Sequence, residues 1–205
     1  MRIADSNKPE LRMLGIDPGL RYTGWGIVVQ SGLKLVHMAH GTIKTQSSWG
    51  DAERLEEIHQ GLIEIMSNWH PTRASIEQIF IAKGAASAIK LGMARGVAMQ
   101  ACAEKGLAVT EISARQVKKS VTGTGAADKI QVAAMVERLL QVVPKGADAA
   151  DALAIAIAGI NKGPSNNAFS NNASSKNLQA GSGLAQAIEK ALAKVRQSGE
   201  GKEYD

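Results

Sequence analysis

The sequence of 205 residues holds one cysteine, Cys102, so no disulfide can close within the chain and a bridge-stapled secreted scaffold is excluded. Aromatic side chains make up only 3% of it, which leaves the core to Ala, Val, Ile, Leu and Met. No apolar run approaches membrane-spanning length, and the opening MRIADSNKPELRM has no apolar signal core. The expectation is a soluble cytoplasmic chain without a membrane partner, its cysteine buried and reduced. Hydrophobic residues nevertheless reach 44%, which excludes disorder throughout, and the length suffices for one sizeable core. A net charge of +5 and a pI near 9.4 are a first pointer to a polyanionic partner.

Residues 12–18 form an apolar run that ends in Asp17-Pro18-Gly19, the pattern of a buried strand running into a turn. TGWGIVVQ and LKLVHMAHGTIK follow as two β-rich runs joined at Ser31-Gly32. The period then changes: Ala52, Leu55, Ile58, Leu62, Ile65, Met66 and Trp69 recur at helical spacing over 51–69, and Pro71 closes that helix. ASIEQIF (74–80) predicts a short strand, 85–105 an Ala/Gly-rich helix, and GLAVTEI another strand. Ser113 and Gln116 have the spacing of a capping box opening a helix through ARQVKKS. A helix over about 127–141 is expected to turn Ile130, Ala133, Ala134, Val136 and Leu140 inward, and a last one to run from Ala147-Asp148 through AADALAIAIAG. Beyond it NKGPSNNAFSNNASSKNLQAGSG is too poor in apolar residues to fold alone. The expected organisation is an N-terminal extension (1–12), one compact domain (13–160) and a flexible Asn/Ser-rich tail (161–205). In that tail Leu184, Ile188, Leu192 and Val195 trace one face of a short amphipathic helix.

Four acids occupy places where the pattern asks for apolar residues or strand ends. Each has an ordinary explanation. Asp17 before Pro-Gly can simply start a turn, and Glu77 can point to solvent from a half-exposed strand. Asp148 and Asp151, three apart on one helix face, suit a helix N-terminus and its dipole. Together they suggest more. If the first and fourth strands are neighbours, Asp17 and Glu77 meet, and the last helix can bring Asp148 and Asp151 to the same place. Four converging carboxylates would protonate or repel unless a cation joined them. Oxygen-only ligands favour Mg²⁺ or Mn²⁺, and a pair of such ions is the usual device for phosphodiester hydrolysis.

GIDPGLRYTGWGIV, IEQIFIAKGAASAIKLGMARGVA, ARQVKKSVTGTGAADKIQV and ADAADALAIAI closely resemble, in order, four signature blocks of the bacterial RuvC family. That family comprises Holliday junction resolvases of the ribonuclease H-like superfamily, and the resemblance spans residues 13 to about 160. It implies an α/β, ribonuclease H-like fold: a mixed five-stranded sheet with helices on both faces. It also implies a structure-specific endonuclease that resolves four-way DNA junctions in recombination and repair by paired, symmetric cuts. The implied metal-binding and catalytic residues are Asp17, Glu77, Asp148 and Asp151, with two Mg²⁺ per subunit, Mn²⁺ substituting. Implied partners are junction DNA, a second copy of the chain, and the branch-migration proteins RuvA and RuvB.

With the four acids neutralised, residues 1–158 carry 18 bases against 11 remaining acids, a balance of +7 that suits a DNA backbone. Lys118 and Lys129 lie nearest the family's basic positions, the first to grip a phosphate and the second to stabilise charge at the scissile one; the alternative is two solvated helix lysines. Phe80 matches an aromatic that pushes on an opened base at the crossover, with core packing the alternative. Gly92 and Gly96, four apart on one helix, allow close approach of another helix, either within the monomer or, as the family favours, across a dimer. GTGAADK lacks the ending of a phosphate loop, and His37, His40, His59 and His70 fall away from the acids. A junction-binding scaffold that does not cut and an actin-like phosphotransferase remain alternatives, although the latter needs two domains and a second phosphate loop.

Overall fold

Mostly apolar runs, buried on both faces in the first two, carry the chain into three strands, β1 (Leu11–Asp17), β2 (Tyr22–Ser31) and β3 (Lys34–Lys44). Gly32, at φ +62°, turns the second hairpin. Helix α1 (Asp51–Trp69) opens with the Glu53 carboxylate accepting from the Gly50 N–H at 2.8 Å. It stops at His70 in the left-handed region, one residue before Pro71. Strand β4 (Arg73–Glu77), helix α2 (Ala85–Glu104), strand β5 (Val109–Ile112) and helices α3 (Ala114–Thr122), α4 (Lys129–Leu140) and α5 (Ala147–Lys162) complete the order. The structure, a computed structural model, describes residues 10–78 and 85–163. Phe80, the first nine residues, and residues 164–205 with the helix expected there lie outside the described residues.

The five strands form one mixed sheet in the order β3-β2-β1-β4-β5. β1 runs antiparallel to β2 and parallel to β4, with Ile16 opposite Ile76, so Asp17 and Glu77 emerge side by side from the same sheet end. Successive β1 side chains point to opposite faces. Leu14 and Ile16 enter a core with Ile58 and Leu62 of α1 and Ala98 of α2. Met13 enters the other, with Val117 of α3, Val136 of α4 and Leu153 of α5. Cys102 is buried, free and held in its thiol form by that burial, which pushes its pKa up to about 12.

Two expectations need correcting. α4 buries Val132, Val136 and Leu140, while Ile130 is 81% exposed and Ala134 faces solvent. Asp128 caps this helix through the Gln131 N–H at 2.8 Å, and the buried stripe repeats every fourth residue from Val132. Ile130 lies about 200° round the helix from Val132, on the solvent side. In α1, Ala52 is likewise exposed in the first turn.

Helix α5 is built mainly of Ala, Ile and Leu, and lies on β1 and β2 at backbone contact. A Cβ on Gly15 would come within 2.0 Å of the Ala152 carbonyl oxygen, and one on Gly24 within 2.0 Å of the Asp148 carbonyl oxygen. Glycine is needed at both positions because nothing larger lets the helix sit so low. The buried Ser75 hydroxyl on β4 donates to the Ile155 carbonyl at 3.0 Å and secures the helix further along. The start of α5, with its two acids, is thereby delivered to the strand ends. Gly24→Ala is expected to lift that start, costing about 1–3 kcal/mol by overpacking and lowering the phosphodiester cleavage expected from the sequence by more than the stability loss explains. Chemical denaturation and a cleavage assay on the same sample check this; wild-type values in both would contradict the contact.

Candidate active site

Asp17 owes its position to a turn that cannot slip. Pro18 has no N–H with which to extend the strand. Within the turn, the Thr23 hydroxyl donates to the Gly19 carbonyl at 2.8 Å and the Thr45 hydroxyl to the Leu20 carbonyl at 2.6 Å. Thr45 in turn receives the buried Arg54 Nε–H at 3.0 Å, which ties the turn to α1. On the other side of the site the turn into α5 is held by His40. Its Nε2 accepts the Lys145 N–H at 3.1 Å, so its proton lies on Nδ1 and is donated to His37 Nε2 at 2.8 Å. Burial holds both imidazoles below their ordinary pKa, with the charge of His40 adding to it at His37 and that of Lys145 at His40, in keeping with neutral rings. These histidines, distant from the acids in sequence, support the loop that leads to Asp148.

A cleft of about 300 Å³ opens at the sheet end. Its wall includes Asp17, Glu77 and Asp151, the bases Lys118 and Lys129, and apolar Val132. Asp148, in the first turn of α5, does not line the cleft but is close enough to act on the charge of Asp17. The Lys129 ammonium donates to Asp151 Oδ2 at 2.6 Å. Three of the four expected acids and both expected lysines therefore share one cleft, with the fourth acid beside it.

The electrostatics follow from that crowding. Burial pushes Asp17 up to about 7, and Glu77, Asp151 and Asp148 add to the rise against Lys129. Glu77 is also raised, first by burial and then by Asp151. Lys129 is raised chiefly by its hydrogen bond to Asp151, which keeps it charged. Among the described residues no three of His, Cys, Asp or Glu close around one point. The acids converge without meeting, with an ammonium against one of them. Their chemistry still fits a hard divalent cation: the donors are all oxygen, and the like charge that strains Asp17 is what such an ion relieves.

Arg95 of α2 was not singled out in the sequence, yet its Nε–H reaches the Glu77 carbonyl at 3.4 Å. No local signal marks it, since its role depends on which strand end packs beside α2.

A scan of protein families matches residues 13–159 to crossover junction endodeoxyribonuclease RuvC. The chain belongs to the RuvC family. The curated RuvC of Parvibaculum lavamentivorans is 47% identical over 157 residues, spanning 76% of this chain and 90% of that protein. That of Hyphomonas neptunium is 50% identical over 148 residues, spanning 72% and 89%. Among solved structures, T. thermophilus RuvC in complex with a Holliday junction substrate superposes with a TM-score of 0.68 at 33% identity, covering 72% of this chain and 92% of that one. The yeast mitochondrial Holliday junction resolvase, at 13% identity and a TM-score of 0.52, shares the fold.

The raised pKa has a sign that can be checked. Between 3.8, the ordinary value, and about 7, folded Asp17 binds more proton than it does unfolded. Without divalent cation, wild-type stability relative to Asp17→Asn should fall as pH climbs from about 4 to about 7. Mg²⁺ should restore it above pH 7 in the wild type alone. Thermal melts in EDTA and in Mg²⁺ measure both effects; a pH-independent difference, with no Mg²⁺ response, would contradict a strained acid cluster.

Proposed function

We propose that the chain resolves four-way DNA junctions by divalent-metal-dependent hydrolysis of phosphodiester bonds, one cut from each subunit of a homodimer. The observation that carries this is the strand-end cleft in which Asp17, Glu77 and Asp151 face Lys118 and Lys129. In this reading Asp17, Glu77, Asp148 and Asp151 hold two Mg²⁺ ions, for which Mn²⁺ can substitute. Bound there, the pair would supply an activated water and charge stabilisation at the leaving oxygen.

The chain's own residues contribute the rest. Asp17 and Glu77 stand on strand ends that cannot shift independently, because β1 and β4 are paired up to Ile16 and Ile76. Lys129, kept charged by Asp151, is placed to exchange that carboxylate for a phosphate oxygen of the DNA. Lys118, on the same wall, grips a neighbouring phosphate. Phe80 is assigned to the base step at the crossover, on family resemblance.

The exposed face of α2 supports the dimer. Among the described residues, a Cβ on Gly92 or on Gly96 would meet nothing within 4 Å, so packing against those residues does not require either glycine. Ile89 on the same helix is 62% exposed. Small residues beside an exposed apolar one suit a two-fold contact between copies of α2, as a nearly two-fold substrate asks. Kinship with the family further supports RuvA and RuvB as companions and the cytoplasm as the location. The nuclease domain is assigned to residues 13–160, with the tail dispensable for cutting.

Asp17→Asn tests the reading. It keeps shape and one acceptor oxygen but removes the charge that cations share. Cleavage of a synthetic junction in Mg²⁺ should fall by more than the roughly 100-fold that an outer-shell partner costs. Junction affinity in Ca²⁺ should persist, because it rests on the basic surface. Mixed dimers with wild type should nick one strand without resolving the junction. Near wild-type cutting would reduce Asp17 to a turn former. Parallel loss of binding and cutting in a folded protein would place it in the DNA interface instead, and a wild-type chain that binds junctions without cutting would favour the scaffold alternative.

A further inference from the structure

The parallel ladder between β1 and β4 has a gap at its catalytic end. Ala74 and Gln78 of the β4 segment donate their N–H groups to Ala108 and Ile112, at 3.0 and 2.8 Å, so the even positions face β5. Glu77, an odd position, therefore turns its backbone groups toward β1. With Ile16 opposite Ile76, the next donor owed to the Glu77 carbonyl is the N–H of residue 18. That residue is Pro18, which has none. The proline that ends β1 behind Asp17 thus leaves the carbonyl of Glu77 without its ladder partner.

Arg95 fills the vacancy. Its Nε–H points at the Glu77 carbonyl at 3.4 Å, while its terminal nitrogen pairs with the Glu111 carboxylate on β5. Glu111 is itself anchored, since the Lys162 ammonium at the end of α5 donates to its carbonyl at 2.7 Å. A guanidinium is suited to this task because its fixed fork serves two acceptors at once, which a single ammonium does poorly. The side chain comes from α2, whose outer face carries Gly92 and Gly96.

We propose that Arg95 is a positioning residue for the nuclease site: it replaces the ladder hydrogen bond missing at Pro18, fixes the last peptide of β4, and so aims the Glu77 carboxylate. Through it, α2, the helix proposed to meet its copy in the dimer, is joined mechanically to the cleft. This rests on the metal-site reading of Glu77 given above.

The test compares Arg95→Ala, Arg95→Lys, Glu111→Gln and Glu77→Gln in the full-length dimer on a synthetic four-way junction. Four quantities are read: junction affinity in Ca²⁺, dimer mass, single-turnover cleavage at saturating enzyme, and the Mg²⁺ concentration at half-maximal rate. Arg95→Ala should cut about 10–100-fold more slowly and need more Mg²⁺, with affinity within twofold of wild type and the dimer intact. Arg95→Lys should recover part of the rate, and Glu111→Gln should show a smaller loss of the same kind. The last two also decide the matter if Arg95→Ala fails to fold. Wild-type rates and Mg²⁺ requirement in the Arg95 variants, with Glu77→Gln inactive, would overturn the role of Arg95 alone. A loss confined to affinity or to dimer mass would make Arg95 a DNA or subunit contact and would also overturn it. Glu77→Gln cutting at wild-type rate would instead remove the metal-site reading and the proposal with it.

Discussion

Negative charge gathered in a half-buried place is costly, and most of the architecture around the cleft serves to hold it there. The acids do not drift apart because each stands on an element fixed by the others. Two are on paired strands of the sheet, and two are on a helix lying at backbone contact with glycines of β1 and β2. The consequence is an aspartate pushed up to about 7 and a glutamate raised beside it, with a lysine drawn to the third acid. A protein selected for stability alone would replace such a cluster with apolar residues. Its retention makes sense where cations and a phosphodiester complete the charge balance.

Backbone chemistry and site chemistry meet at Pro18. The proline makes Asp17 the last residue of β1 and, with Gly19, begins a turn that Thr23 and Thr45 lock. The same missing N–H leaves a neighbouring carbonyl to be met from elsewhere. Support on the other side comes from neutral histidines: His40 accepts from the turn before α5 only while its Nε2 carries no proton. The site is therefore braced from α1, α2 and β3, none of which supplies an acid to it.

Much of this was legible in the sequence wherever the cause is local. The 3.6 period fixed α1 at 51–69 to the residue, and the Ser113–Gln116 box lies where its spacing put it. The four acids drew notice because a carboxylate breaks an apolar pattern, and three of them do line one cleft. What was not legible depends on partners distant in sequence. Ile130 looks apolar and inward until α3 and α5 pack on the Val132–Val136–Leu140 face of α4. Gly15 and Gly24 read as ordinary strand residues until α5 is laid against them. Arg95 meets the Glu77 carbonyl only once β4 is paired with a strand that stops before a proline, and His40 meets Lys145 only once the loop before α5 reaches β3.

The central claim is that the cleft is built for two divalent cations shared among Asp17, Glu77, Asp148 and Asp151. Crystals soaked in Mn²⁺ and measured at its absorption edge test it most directly, because anomalous scattering locates the ions without regard to activity. Two peaks per subunit are expected in the cleft, each ligated by carboxylates of this set, with Lys129 withdrawn from Asp151. A cleft empty of peaks at saturating Mn²⁺, or a single ion held by residues other than these four, would contradict the account.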